Sequence, residues 1–148
     1  MISYLDILNK MEEVADGIST IKSFKNSPVS EWDDEKHNVA NYAILGVTCE
    51  GVEFEQGRMS YEFRVFCGDL IREDLSDRDQ VWNDTLLSLH DFINHFVQSG
   101  AENSAVGFTV DYGWTAEPFT DRLDNLLTGW ETTIEIAVDN TNDLCASA

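Results

Sequence analysis

Two segments of the chain place apolar residues at the three- and four-residue spacing of an amphipathic helix. The first begins at Ser3, where the Asp6 carboxylate is spaced to reach back to the Ser3 amide in a capping box. Gly17 predicts its end. The second begins after Asp77 and runs to Gly100 with a broad apolar stripe. That stripe comprises Trp82, Leu86, Leu89, Phe92, Ile93, Phe96 and Val97.

Between and after these helices, shorter apolar or alternating runs predict strands. The clearest alternation is in Met59–Cys67, where odd-numbered residues are apolar and the even-numbered ones are polar, except for Phe66. The last run, Trp130–Val138, alternates in the same way. Tyr42–Cys49 is apolar almost throughout, which is typical of a buried strand. Shorter strands are predicted within residues 18–25 and 106–112.

The connections are marked by turn residues and by charge. Glu50-Gly51 and Gln56-Gly57 are turn signals, and Pro118-Phe119 is expected in a connection. Residues 26–38 are rich in acids and predict an exposed loop, and residues 140–148 predict a polar C-terminal tail.

The order of elements is helix, strands, long helix, strands, which predicts an α+β fold. We expect one domain over residues 1–148, with a twisted, mostly antiparallel sheet and both helices packed on it. In the predicted core, one helix face packs on one sheet face. The helix residues are Leu86, Leu89, Ile93 and Phe96, and the sheet residues are Phe63, Val65, Ile134 and Ile136.

The charge balance restricts the possible partners. The chain has 28 acidic and nine basic residues, a net charge of −19, and after Gln98 its only basic residue is Arg122. Binding to nucleic-acid phosphates requires Lys and Arg to displace counterions, so sequence-specific nucleic-acid binding is not expected. Docking on anionic lipid is disfavoured for the same reason. No apolar run is long enough to span a membrane, and the N-terminal residues lack the apolar region of a signal peptide.

The residue types that carry chemistry do not form a recognisable site. Cys49, Cys67 and Cys145 are odd in number and lack metal-site spacing, which indicates synthesis in a reducing compartment. His90 and His95 lie about 140° apart around a helix, so they do not converge on one metal ion. We therefore predict no catalytic residues, no metal site and no cofactor.

Two acidic clusters have structural explanations. The cluster of Asp33, Asp34, Glu35 and His37 lacks the ligand spacing of a calcium loop, so we interpret it as solvated loop. Three further carboxylates precede the long helix, where they offset its dipole. They are Asp74, Asp77 and Asp79.

The segment from Met59 onward has a distinctive arrangement. An alternating strand, SYEFRVFCGD, leads through an acidic turn into the helix VWNDTLLSLHDFINHF, and later into EPFTDRLDNLLTGWETTIEIAV with a polar tail. Its most telling residues are Asp121, Leu123, Asp124, the Gly129-Trp130 pair and the strand that follows. This arrangement resembles small virion proteins of tailed phages, particularly tail terminators and head–tail neck-ring proteins.

The resemblance implies a tail-terminator-like fold and a ring-forming subunit without catalytic residues. Such a subunit joins or closes the tail, contacts copies of itself and neighbouring neck or tail proteins, and is assembled in the host cytoplasm into the virion. An acidic channel wall would repel DNA phosphates over about 8 Å at physiological salt. The expected oligomer-interface residues are Trp32, Arg58, Arg64 and Arg72, with the arginines meeting an acidic edge of the next subunit.

Two other functions remain open from the sequence. An acidic DNA mimic that inhibits DNA-binding enzymes would require rows of carboxylates on one exposed face. A small enzyme would require a pocket in which carboxylates converge with His37 or His90.

Overall fold

A computed structural model describes residues 3–27, 43–70, 76–102, 108–110, 115–120 and 127–139. Within these ranges the chain forms two helices and six strands. In chain order they are α1 (Tyr4–Asp16), β1 (Ser23–Lys25), β2 (Ile44–Glu55), β3 (Arg58–Leu70), α2 (Arg78–Glu102), β4 (Phe108–Val110), β5 (Ala116–Thr120) and β6 (Leu127–Asp139).

Helix α1 begins and ends where the sequence predicts. The Ser3 amide donates to Asp6 Oδ2 at 2.9 Å, and the Asp6 amide donates to Ser3 Oγ at 3.1 Å. The capping box is thus confirmed, and it satisfies two amides that the helix itself leaves without acceptors. At the other end the Gly17 amide donates to the Glu13 and Val14 carbonyls. The buried face consists of Ile7, Leu8, Met11 and Ala15.

Helix α2 confirms the predicted start but corrects one core residue. The Val81 amide donates to the Asp77 carbonyl at 3.0 Å, which is the first bond of the helix. Leu89, with 2% of its surface exposed, faces the sheet as expected, whereas Leu86 is 38% exposed. Leu86 was therefore wrongly predicted to lie in the core. The inward row at this turn contains the small polar residues Thr85 and Ser88, and Leu86 lies on the flank of that row.

The buried hydroxyls on α2 have hydrogen-bond partners. Thr85 Oγ1 donates to the Val81 carbonyl at 2.7 Å, within the helix. Ser88 Oγ and Thr20 Oγ1 lie 2.7 Å apart and share a hydrogen bond, which connects α2 to the segment after α1. These bonds explain why polar residues are tolerated in the inward row.

The strands form one curled, mostly antiparallel sheet, so the α+β prediction is confirmed. The order is β1-β2-β3-β6-β4, with β5 also paired to β6. Among the strands that the structure describes, only β1 and β2 are parallel. Both helices contribute buried residues to one large core cluster with the same sheet face, and this cluster includes Leu89, Ile93, Phe96, Phe63, Val65, Ile134 and Ile136. Apart from Leu86, the predicted core is confirmed.

The β2–β3 hairpin is longer than predicted. Glu50-Gly51 does not turn the chain but lies inside β2, where the register with β3 shifts between Cys49 and Gly51. A β-bulge accommodates one extra residue in this way, so the strand continues for as long as β3 supplies partners. The turn predicted at Gln56-Gly57 is confirmed, and Gly57 adopts the positive φ of 78° that such turns require.

Pro118 and Phe119 form part of strand β5, which corrects their assignment to a connection. Pro118 lies opposite Trp130, and Phe119 lies opposite Gly129. Proline is compatible with an edge strand, because its missing N–H can face away from the neighbouring strand. Phe119 also explains the out-of-pattern Phe66, since both belong to a second buried cluster with Ile44 and Leu127.

Several sequence predictions fall outside the described residues. They concern the acidic loop beyond Ser27 and the tail at 140–148. The structure also does not describe Trp32, Arg72, His37 or Cys145. In the part of the chain that the structure describes, no helix is both long enough and apolar enough to cross a bilayer.

Candidate functional site

The sheet has one face covered by helices and one that carries most of its charge. We call the second, turned away from α1 and α2, the outer face. Because side chains alternate along a strand, the pairing register assigns its members. Its polar members include Thr48, Glu53, Glu55, Arg58, Ser60, Glu62, Arg64, Glu117, Glu131, Thr133 and Glu135. The second buried cluster, Ile44, Phe66, Phe119 and Leu127, lies on the same face.

Acidic residues on the outer face lie directly opposite one another. Glu62 of β3 pairs in register with Glu135 of β6, and Glu131 of β6 pairs with Glu117 of β5. Like charges at such positions are about 4.5–5.5 Å apart at their Cβ atoms and destabilise a sheet. The pairing of Glu62 with Glu135 is therefore unfavourable for folding.

Arg64 forms an ion pair within its own chain. Its Nε lies 3.0 Å from Glu50 Oε1, and the two side chains are 46% and 36% exposed. Glu50 is the extra residue of the β2 bulge, so the bulge brings this carboxylate to Arg64. An exposed pair of this kind contributes about 0–1 kcal/mol to stability. The charge of Arg64 is thus already opposed by an acid of the same subunit.

Of the four predicted interface residues, the two that the structure describes, Arg58 and Arg64, lie far apart on one strand. Arg58 lies at the hairpin end of β3, in register with Glu55 on one side and Asp139 on the other. Arg64 is six residues further along the same strand, which is roughly 20 Å away. Trp32 and Arg72 belong to the part of the chain that is not described. Their predicted interface role stays a prediction.

Two open grooves cross the outer face, each of roughly 300 Å³. One is lined by Arg64, Thr115, Glu117, Glu131, Thr132 and Thr133. The other is lined by Gly51, Val52, Glu53, Ser60, Glu62 and Glu135. A third and larger groove, of about 660 Å³, lies between α2 and the segment around β1. His90 lines none of these three grooves.

Asp69 lies in the third groove, near the start of α2. Burial raises the pKa of its carboxyl above the ordinary value, and the nearby Asp84 and Asp77 raise it further. The Leu70 amide donates to Asp69 Oδ1 at 2.7 Å and partly offsets this effect. The folded chain therefore holds Asp69 in an environment that disfavours its charge.

The two described cysteines behave as small apolar residues. Cys67 is fully buried in the main core, and burial raises the pKa of its thiol to about 12. It remains protonated at neutral pH and is a poor nucleophile. Cys49 is half-buried and packs against the same core, as the strand patterns predict.

The Gly129-Trp130 pair has a structural explanation. Trp130 Nε1 donates to the Trp82 carbonyl at 2.9 Å, and Trp82 Nε1 donates to Thr128 Oγ1 at 2.7 Å. Thr128 Oγ1 in turn donates to the Phe119 carbonyl at 2.6 Å. This chain of bonds connects the start of α2 with β6 and β5. Trp130 is thus held within the subunit.

Gly129 is required by a close approach between β6 and β3. A Cβ atom at this position would collide with the carbonyl oxygen of Cys67 and lie 2.8 Å from the Cα atom of Gly68. Gly129 and Gly68 are opposite each other in register. Glycine at both positions lets the two backbones meet beside the second buried cluster.

Sequence reasoning missed both the clustering of glutamates and the role of Thr128. Each glutamate was visible as the polar residue of an alternating strand, but their convergence depends on the strand order, which the sequence does not state. Thr128 carried no signal beyond its position before Gly129-Trp130. Among the described residues, no group of three or more His, Cys, Asp or Glu is arranged to hold a metal ion.

The chain matches no protein-family model, and no curated protein is significantly similar to it.

Proposed function

We propose that this chain is a non-enzymatic virion protein, a ring-forming subunit of a tailed-phage neck or tail. Its type is that of a tail terminator or head–tail connector, which joins or closes the tail and lets DNA pass through an acidic channel. The observation that supports the proposal most is the outer face, on which glutamates of four strands gather while both described helices pack on the other side.

The charges of this face suit the wall of a DNA channel. Besides Glu50, which pairs with Arg64, six glutamates lie on β2, β3, β5 and β6: Glu53, Glu55, Glu62, Glu117, Glu131 and Glu135. Facing a lumen, they would repel phosphates within a Debye length of about 8 Å. The unfavourable pairing of Glu62 with Glu135 then has a functional reason, since a conduit must not bind its cargo.

Ring formation follows from contacts between different patches of neighbouring subunits, which close a circle when the rotation permits. The resemblance from Met59 onward supports this mode of assembly. Native mass spectrometry of the purified protein tests it, and proteomic analysis of purified virions tests its location. A single closed oligomer together with presence in the particle is the expected result.

A charge-reversal experiment tests the role of the outer face. In the assembled ring, Glu62→Lys with Glu135→Lys should make the complex retain a short DNA duplex, because the lumen would then attract phosphates. The control is Glu12→Lys with Glu13→Lys, which changes the net charge equally on the exposed side of α1. Equal retention by both variants would contradict the assignment of the outer face to the lumen.

A second candidate is an acidic DNA mimic that inhibits DNA-binding enzymes. It is favoured by the same gathering of glutamates on one exposed sheet face, although Arg64 interrupts the rows. A mimic acts as a free protein, so the expected observations are a monomer at every salt concentration and inhibition of an enzyme in competition with duplex DNA. A monomer that is also missing from virions would exclude the ring subunit and favour the mimic.

A further inference from the structure

Strand β2 has an open edge. Strand β1 pairs with only Ile44–Gly46, so along Val47–Glu55 the described structure supplies a neighbour on the β3 side alone. This edge is nine residues long, or roughly 30 Å at the rise of an extended strand. Its backbone amides and carbonyls that point away from β3 are a template for a further strand.

At the hairpin end of this edge, from Val52 to Glu55, the side chains alternate between apolar and acidic. Val52 and Phe54 lie on the helix-side face and are 38% and 75% exposed. Glu53 and Glu55 lie on the outer face, and both are exposed. An incoming strand would therefore meet apolar side chains on one side and carboxylates on the other.

The apolar side is continuous with the core. Val52 lies opposite Tyr61 in register, and the ring of Tyr4 stacks on Tyr61 with 6.3 Å between centroids. Tyr4 is itself 37% exposed. Together with Phe54, these residues offer an apolar surface beside the open edge that the described residues leave uncovered.

We infer that the edge Val47–Glu55 binds an extended segment of another protein, in which basic residues alternate with apolar ones. In this mode backbone hydrogen bonds provide affinity, and alternate side chains provide specificity. The basic residues of the segment would pair with Glu53 and Glu55, and its apolar residues would cover Val52 and Phe54. The inference does not depend on ring formation.

Charge excludes a second copy as the occupant. Pairing β2 with the β2 of another subunit would place the acidic side chains of the two edges against one another. Acidic residues on an edge prevent association between identical chains, as lysines do in other proteins. The same residues attract a basic strand, so the edge discriminates between partners by sign of charge.

Synthetic peptides of about nine residues test this inference with the full chain. The probe alternates lysine with valine and phenylalanine. One control peptide replaces every lysine by glutamate, and a second keeps every lysine of the probe but has proline in place of two central apolar residues. We expect the probe to bind at about 150 mM salt, and the proline peptide to bind about tenfold more weakly, because it cannot complete the backbone ladder.

Amide hydrogen exchange and matched variants locate the binding site. The probe should slow exchange of amides within Val47–Glu55 and leave those of α1 unchanged. Glu53→Lys with Glu55→Lys should weaken binding about tenfold, whereas Glu12→Lys with Glu13→Lys, of equal charge, should weaken it much less. Phe54→Ser should also weaken binding, in contrast to Leu87→Ser on the exposed side of α2.

Three results would overturn the inference. One is equal binding of the probe and the proline peptide, which would indicate attraction by net charge alone. Another is unchanged amide exchange within Val47–Glu55 when the probe is bound. The third is slower amide exchange within Val47–Glu55 as the protein concentration rises, in the absence of any peptide. That result would assign the edge to a second copy of the chain.

Discussion

Gly129 has no Cβ atom, and this allows β6 to lie close to β3. Its partner in register is Gly68, and any Cβ at Gly129 would meet the Cys67 backbone. The neighbouring Trp130 is fixed by its bond to the Trp82 carbonyl, so β6 cannot move outward without loss of that bond. The position therefore has little freedom to accept even alanine.

We expect Gly129→Ala to lower the free energy of unfolding by about 3 kcal/mol or more, because the backbones of β3 and β6 must separate. The matched control is Gly51→Ala, since an added Cβ at Gly51 meets no atom within 4 Å. Urea denaturation of both variants measures the difference. Equal stability of the two would show that the strands separate at this point without cost.

Asp69 predicts a dependence of stability on pH. Because its pKa is raised in the folded state, the fold is favoured while the carboxyl is protonated, below the ordinary aspartate pKa of about 3.9. This contribution is lost as the pH rises through the folded-state pKa. Asp69→Asn keeps an acceptor for the Leu70 amide and removes the charge, so it should raise the melting temperature at neutral pH.

The pH series contains its own control. Near pH 3 the advantage of Asp69→Asn should disappear, because the native carboxyl is then protonated. Asp91→Asn, an exposed change of the same charge in the same groove, should have little effect at either pH. A melting temperature of Asp69→Asn that is lower than that of the native chain at pH 7 would contradict the assignment.

The helices were largely predictable from sequence because their signals are local. The capping box of α1 involves residues three apart, and the apolar stripe of α2 repeats within a few turns. Errors arose where a distant strand decides the outcome. Glu50-Gly51 continues as strand because β3 supplies partners, and Pro118 joins the sheet because β6 lies beside it. Neither partner is visible in the local sequence.

Leu89 on α2 should be a sensitive core position. Leu89→Ala should lower the free energy of unfolding by about 2–5 kcal/mol, since it removes buried methyl groups and leaves a cavity. Leu87→Ala, at a position 56% exposed on the same helix, should cost less than about 1 kcal/mol. Chemical denaturation measures both. A tolerated Leu89→Asp would show that another face of α2 is buried.

The outer face was hidden from sequence reasoning for a related reason. The polar positions of β3 and β6 were identified, but the pairing of Glu62 with Glu135 requires that these strands be neighbours. Arg64 was expected to meet another subunit, because the bulge that brings Glu50 to it was not foreseen. The charges of Arg64 and Glu50 look unpaired in the sequence, but the pairing of β2 with β3 brings them together.

Salt should promote assembly of the subunit. Long-range repulsion sums over an excess of 19 negative charges, whereas an exposed ion pair contributes only about 0–1 kcal/mol. The Arg64–Glu50 pair is internal, so its weakening by salt does not remove a contact between subunits. Sedimentation velocity at low and at moderate salt should show a larger assembled fraction at moderate salt. A larger fraction at low salt would indicate that ion pairs between subunits dominate.

The native protein should not bind duplex DNA. Its described surface carries few cations to release counterions, and Arg58 and Arg64 both lie beside carboxylates. A gel-shift assay at about 150 mM salt and low micromolar protein should show no complex. A shifted band under these conditions would contradict a channel that passes DNA without holding it.

Strand β6 is the hub of the sheet, since β3, β4 and β5 all pair with it, and it is the last described strand to be synthesised. At roughly 5–20 residues per second, the ribosome completes it several seconds after β3. Until then the apolar face of α2 has only part of its sheet to pack against. Aggregation therefore competes with folding mainly during synthesis, before β6 is complete, and less in the finished subunit.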